Sequence, residues 1–329
     1  MMNIWKNKVI FVTGANGFLG SHLVKRSLAY QSKVITLIKE DIPLSLFELE
    51  GMSEKVKIYH GDLSDTKLIN GIFKKNKIDV CFHIAAQAIV GIANKSPLGT
   101  FRTNIEGTWN MLEAARVFGV GAMVVASSDK AYGEHKILPY KEEASLAALH
   151  PYDASKSCAD ILSRTYANTY KLPVAVTRCA NIYGPGDLNF SRIIPDTCRA
   201  AIRGDDPIIR SDGTPLRDYT FIEDIVDAYF TLAANLLKKK INFGEAFNFG
   251  TGRPVSVIRL ARMILAISGN TRLNPRVLSK AKLKGEIDRQ YLSSAKAKKV
   301  LGWKPRYSLR KGLEITYRWY EDWLCRYCR

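Results

Sequence analysis

Lys8-Val9-Ile10-Phe11-Val12-Thr13-Gly14-Ala15-Asn16-Gly17-Phe18-Leu19-Gly20, leading into Ser21-His22-Leu23-Val24-Lys25-Arg26, decides the fold of this chain. Lys8 to Thr13 is a short, apolar, largely β-branched run of the kind that forms a buried parallel strand. The residues from Ser21 to Arg26 read as an amphipathic helix. A strand, a glycine turn and a helix in that order are the context of a dinucleotide-binding fingerprint. Gly14 can supply the tight turn, Gly17 close backbone approach to a pyrophosphate, and Gly20 close contact between helix and strand. The unpaired N–H groups of the helix start then face the phosphates. The spacing is G-x-x-G-x-x-G rather than G-x-G-x-x-G.

Working outward from the loop, the first half alternates strands and helices. Lys33 to Ile38, Val56 to His60, Asp79 to Ile84, Val120 to Ser127 and Val174 to Arg178 read as further strands. Thr66 to Lys75, Asn104 to Phe118 and Tyr152 to Tyr170 carry helical patterns between them. This rhythm predicts an α/β fold with a doubly wound parallel sheet and right-handed crossovers. After Arg178 the rhythm breaks at the turn-rich Asn181-Ile182-Tyr183-Gly184-Pro185-Gly186-Asp187. Helices are expected over 193–203, 224–237 and 256–267, strands over 218–222 and 246–249, and a mixed region around Trp303 and Pro305. The expected division is a Rossmann domain over 1–180 with returning segments at about 218–255. A smaller, interleaved substrate-binding α/β region covers 181–217 and 256–329.

At 329 residues and 47% apolar composition the chain can bury a sizeable core. No apolar run approaches the roughly 20 residues of a membrane span, and a strand starting within ten residues of Met1 leaves no room for a signal peptide. A cytoplasmic protein with no membrane partner is expected. The formal charge of +18 is spread along the chain, most densely from Lys280 to Lys311, without a basic tail or a zinc-finger pattern. It therefore reads as a solvated basic surface that attracts anionic substrates, not as a nucleic-acid interface. The six cysteines do not form a disulfide scaffold; Cys81 and Cys179 lie in expected strands as small hydrophobes. Cys325-Arg326-Tyr327-Cys328 is a lone C-x-x-C lacking the second ligand pair that zinc needs, so no metal is expected.

Tyr152-Asp153-Ala154-Ser155-Lys156 places a phenol and an ammonium one helical turn apart. The Lys156 charge is expected to pull Tyr152 below its free pKa of roughly 10, so that the phenolate removes a proton from an alcohol undergoing hydride oxidation. With Thr13-Gly14-Ala15-Asn16-Gly17-Phe18-Leu19-Gly20, Ser127-Ser128-Asp129-Lys130-Ala131-Tyr132-Gly133 and Tyr152 to Lys156, the chain resembles the extended short-chain dehydrogenase/reductases along essentially its whole length. Further matches are Gly61-Asp62-Leu63, His83-Ile84-Ala85-Ala86-Gln87, Asn104 to Thr108, Asn181 to Gly186, Arg217-Asp218-Tyr219, Phe247 to Gly252 and Leu301 to Pro305.

That resemblance implies an NAD(P) site made by Gly14, Asn16, Gly17, Phe18, Leu19, Gly20, Asn104, Tyr152 and Lys156. It puts Asp62 and Leu63 near adenine, and Ala85, Ala86 and Gln87 near the cofactor ribose and nicotinamide. It implies a nucleotide-diphosphate hexose as substrate, held by Gln87, Ser128, Asn181, Arg192 and Arg217, with Arg217 on the diphosphate. It also implies a homodimer joined through a four-helix bundle of the 104–118 and 152–170 helices. Beside Ser128 the Asp129-Lys130 pair is similar to that of CDP-glucose 4,6-dehydratases, as is Leu46-Phe47-Glu48; dTDP-type dehydratases carry Asp-Glu, and epimerases need neither acid nor base there. The implied reaction oxidises C-4 through Tyr152, expels the C-6 hydroxyl with Asp129, uses Lys130 on the C-5 proton or the enolate, and returns hydride to C-6. A 4-epimerase or a reductase is the alternative. The second strand ends in Ile38-Lys39-Glu40-Asp41, so the ribose-binding acid is displaced and Lys39 could take a 2′-phosphate. The resemblance implies NAD; the local chemistry admits NADP.

Overall fold

A computed structural model describes residues 4–278 and 287–327. Six strands, β1 (Val9–Thr13), β2 (Lys33–Ile38), β3 (Lys57–His60), β4 (Val80–His83), β5 (Ala122–Ala126) and β6 (Val174–Cys179), join the later Ala246–Phe249 strand in one sheet. The order is Ala246–Phe249, β6, β5, β4, β1, β2, β3, and every neighbouring pair is parallel. The expected doubly wound sheet is therefore present. Alternate residues of one strand serve opposite faces: Ile10 and Val12 belong to one core with Phe82 and Val124, while Phe11 belongs to the other with Cys81, Met123 and Val125. Burial of both faces is why these strands read as continuous apolar runs. Strand order reverses between β1 and β4, which opens a crevice at their C-terminal ends.

Beyond the main sheet, Asn181–Tyr183 pairs in parallel with Tyr219–Phe221, and Leu216–Arg217 lies between Val255–Ser256 and Arg289–Gln290. The helices Ile193–Arg203, Val257–Ser268 and Leu309–Tyr327 pack against one another beside these short strands. The last helix falls in the region expected to be mixed. Its buried stripe is Leu313, Thr316, Tyr317, Tyr320, Trp323 and Leu324, a helical period carried mostly by aromatic and polar residues, so simple hydropathy passes over it.

Two elements differ from expectation in ways that shape the site. The first helix starts at Phe18, not Ser21, with Gly17 as its N-cap, so Gly20 is itself helical. The 104–118 helix begins as a π-helical turn over Arg102–Glu106 before the regular helix Gly107–Phe118. The extra residue in that turn holds Asn104, whose amide reaches two other segments of the fold, as π-turns at functional positions often do.

Candidate active site

The site is assembled at the C-terminal end of the sheet from β5, its following turn and the helix Pro151–Tyr170. Ser128 follows β5, and Asp129–Tyr132 form a 3₁₀ turn whose Lys130 N–H donates to Ser128 Oγ at 3.2 Å. Tyr152 and Lys156 lie one turn apart near the start of the helix. Ser128 is hydrogen-bonded to the Tyr152 phenol and donates from Oγ to Asp129 Oδ1 at 3.2 Å. Lys156 is buried and donates from Nζ to the Ala126 carbonyl at 2.9 Å; burial lowers its pKa to about 8.

The expectation that Lys156 depresses Tyr152 is not met. Burial raises the phenol to about 12, against the opposing pull of the Arg192 charge and the Ser128 hydrogen bond. The ammonium is spent on a backbone carbonyl at the end of β5, so the 3.6-residue period that put the two side chains on one face did not put the charge on the phenol.

Around Lys130 lies a group of buried polar atoms. Asp129 is 3% exposed; burial lifts its carboxyl to about 6 despite Lys130, the Ser128 hydrogen bond and Arg217. Burial also raises Asp153, with Lys130 and His150 opposing. Gln290 is fully buried and its Oε1 lies 3.5 Å from Lys130 Nζ. Asp129 Oδ2, Asp153 Oδ1 and Gln290 Nε2 have no hydrogen-bond partner. Unpaired buried polar atoms are costly.

The glycine loop fits a dinucleotide. Gly14 has φ +69°, and a Cβ there would stand 3.0 Å from Ala85 Cα on the neighbouring loop. A Cβ on Gly20 would stand 2.1 Å from the Gly14 carbonyl, whereas one on Gly17 would meet nothing nearer than that carbonyl at 3.3 Å. Gly20 thus packs helix on loop, and Gly17 leaves open space before a helix with no acidic residue in its first turn. Those are the requirements of a pyrophosphate cradle. Beneath it, Thr13 Oγ1 accepts from the Ile84 and Ala85 N–H groups, both at 3.1 Å. It also meets His83 Nδ1 at 3.0 Å, and His83 Nε2 meets Thr108 Oγ1 at 3.0 Å. Thr108 spends its hydrogen on the Asn104 carbonyl at 2.7 Å, so Nε2 carries the imidazole proton and Nδ1 accepts. Burial, and secondarily Lys156, holds His83 near pKa 3, hence neutral.

With this geometry in place, the sequence over residues 11–316 matches the family model described as GDP-mannose 4,6 dehydratase. The chain belongs to that family. It is 28% identical to CDP-glucose 4,6-dehydratase of Salmonella typhimurium, over 98% of this chain and 93% of that protein. Among solved structures it is similar to the dTDP-glucose 4,6-dehydratase DesIV of Streptomyces venezuelae with NAD and TYD bound, at TM-score 0.87 and 28% identity, covering 97% and 99% of the two chains. It is as similar in fold to UDP-glucose 4-epimerase of Thermotoga maritima with UDP-glucose, at TM-score 0.87 and 30% identity, covering 96% and 99%.

Within the family site, Asn181–Tyr183 pairs with Tyr219–Phe221, and the Asn181 side-chain amide donates to the carbonyl of Asp218, the residue after Arg217, at 3.1 Å. Arg192 stands at the start of the helix Ile193–Arg203, pairs with Asp187 at 3.0 Å and casts its charge on Tyr152. Lys39 pairs with Asp62 at 3.0 Å, and that hydrogen bond raises its pKa; burial of Asp62 is outweighed by hydrogen bonds from Ser64 and Lys39. The cation expected to await a 2′-phosphate thus already has a carboxylate. Asn16 donates to the Glu40 carbonyl at 2.7 Å, bracing the glycine loop against the end of β2. Asn104 is 2% exposed and its amide is used within the protein: Oδ1 accepts from Gln87 N–H at 2.7 Å, and Nδ2 donates to Ser155 Oγ at 2.8 Å and the Gln87 carbonyl at 3.2 Å. It braces the Gln87 loop and the Tyr152 helix. Leu63 is buried against Gly107.

Sequence reading passed over Asp153, Gln290 and the Thr13–His83–Thr108 chain. Only the buried, unpaired state of the first two marks them, and that state is created by folding. Among the described residues there is no group of three or more side chains suited to a metal, and no helix is long and apolar enough to cross a membrane. Cys325 is exposed, and Cys328 lies outside the described residues.

Proposed function

We propose that the chain is an NAD-using nucleotide-sugar 4,6-dehydratase acting on a nucleoside diphosphate glucose, with CDP-glucose the first substrate to try. The observation that carries this reading is the turn after β5. Beside the alcohol-oxidising Ser128, Tyr152 and Lys156 it sets a buried carboxyl with a pKa of about 6 and the amino group of Lys130. A carboxyl poised there can protonate a leaving hydroxyl near neutral pH. An epimerase has no water to expel.

Bound NAD supplies a hydride acceptor and donor. Tyr152 takes the C-4 hydroxyl proton while Ser128 orients that hydroxyl. The Arg192 charge favours the phenolate, while Lys156, buried and fixed to the Ala126 carbonyl, holds the start of the Tyr152 helix against the end of β5. Asp129 gives its proton to the departing C-6 hydroxyl. Lys130 takes the C-5 proton or holds the enolate. Asn181, Arg192 and Arg217 bind the nucleotide diphosphate, Arg217 with a planar fork suited to phosphate. The segments 181–217 and 256–329 form this nucleotide-sugar region against a dinucleotide-binding body.

The test is mass spectrometry after incubation with CDP-, dTDP- and UDP-glucose. A product lighter by one water is expected from one of them, and Tyr152→Phe should lower the rate by at least about 100-fold. Unchanged mass with inverted C-4 would establish the epimerase reading, which the Thermotoga maritima likeness favours. We further propose a cytoplasmic homodimer through the helices carrying exposed Trp109, Phe118, Ile161 and Tyr170.

A further inference from the structure

Gln290 lies 160 residues from Lys130 in sequence, yet its Oε1 is 3.5 Å from Lys130 Nζ. It stands on the short Arg289–Gln290 strand, in parallel register with Arg217 on the neighbouring strand, so the small sheet that holds Arg217 also carries Gln290 to the turn after β5. Its side chain is fully buried and its Nε2, with two N–H donors, has no partner. Asp129 Oδ2, on the other neighbour of Lys130, is likewise buried and unpartnered. One atom is a donor and the other belongs to a carboxyl, and a sugar hydroxyl, which accepts as well as donates, is a group that suits either.

Resting on the dehydratase reading, we propose that Gln290 completes the sugar subsite: Oε1 steadies Lys130 and Nε2 donates to the C-6 hydroxyl that Asp129 expels. Gln290 then selects for the hydroxyl to be eliminated, as a buried donor discriminates against a ligand lacking its acceptor. The leaving oxygen accepts the Asp129 proton and departs as water; Gln290 changes no bond and holds the oxygen in line with that acid.

The experiment pairs a side-chain change with a ligand change. The sugar nucleotide that the wild-type enzyme dehydrates, among CDP-, dTDP- and UDP-glucose, is compared with its 6-deoxyglucose counterpart as a competitive inhibitor. Gln290→Leu is expected to raise KM for the parent about tenfold, the loss of one buried hydrogen bond. It should leave the Ki of the 6-deoxy compound and of the free nucleoside diphosphate within about twofold. Gln290→Glu, which keeps an acceptor for Lys130 but removes the N–H donors, should show the same selective loss. Equal weakening of both sugar nucleotides, or no weakening of the parent, overturns the proposal. A wild-type enzyme that dehydrates none of the three refutes the dehydratase reading before any variant is made, so the two failures are distinct.

Discussion

Asp129 links chemistry and stability through one proton. Its carboxyl is raised to about 6 by burial, while an unfolded Asp titrates at roughly 3.9. The folded state therefore binds this proton more tightly; the associated stability is full below the unfolded pKa and is lost as pH rises through about 6. Asp129→Asn is expected to stabilise the protein by about 1–3 kcal/mol at pH 8 and to give no gain at pH 4, measured by denaturant melts at both. The same variant should lose at least about 100-fold of the dehydration rate. In the wild type, kcat for dehydration should fall as pH rises through the Asp129 pKa, since only the protonated acid can expel the hydroxyl. The residue types of this site were readable in Ser128-Asp129-Lys130 and in Tyr152 to Lys156. Their protonation was not: spacing showed that Lys156 shares a face with Tyr152, but the carbonyl of Ala126 claims its ammonium.

Gly20 shows what an element demands of one position. A Cβ there would stand 2.1 Å from the Gly14 carbonyl and 2.8 Å from Ala15 Cα, both backbone atoms that cannot rotate aside. Gly20→Val should push the helix off the loop, lower NAD affinity by at least about tenfold in equilibrium titration, and reduce Tm. A second element-level dependence is buried between β6 and the Tyr152 helix. Arg178 donates from Nε and Nη2 to the two Asp160 oxygens at 2.7 and 2.9 Å, and from Nη1 to Tyr132 Oη at 2.8 Å, tying the strand and helix to the turn that holds Asp129. Both ion-pair partners are at most 1% exposed. Arg178→Met leaves the Asp160 charge alone and should cost about 3–5 kcal/mol in denaturant unfolding, whereas adding Asp160→Leu should recover much of that. The strands, glycine turn and long helices behind these contacts were legible because each imposes a period of two or 3.6. The π-turn at Asn104 was not, since it answers to Gln87 and Ser155, 17 and 51 residues away.

For the molecule as a whole, the unpaired apolar surface on the Gly107–Phe118 and Pro151–Tyr170 helices sets the expected assembly. Trp109 is 44% exposed and Ile161 52%, a cost that a bundle with a second copy would remove. Trp109→Glu should convert the dimer to monomer in sedimentation equilibrium; a wild-type monomer at micromolar concentration contradicts the dimer. The alternation of buried strands and amphipathic helices, the glycine spacing and the order of motifs were sufficient to specify a doubly wound sheet and to mark Ser128, Asp129 and Tyr152, which folding brings together, because each is a local pattern repeated by covalent neighbours. Protonation states, the pairing of Lys39 with Asp62, and the arrival of Gln290 beside Lys130 depended on the folded chain. They are set by which distant groups share a water-poor space, and no spacing along the sequence encodes that distance.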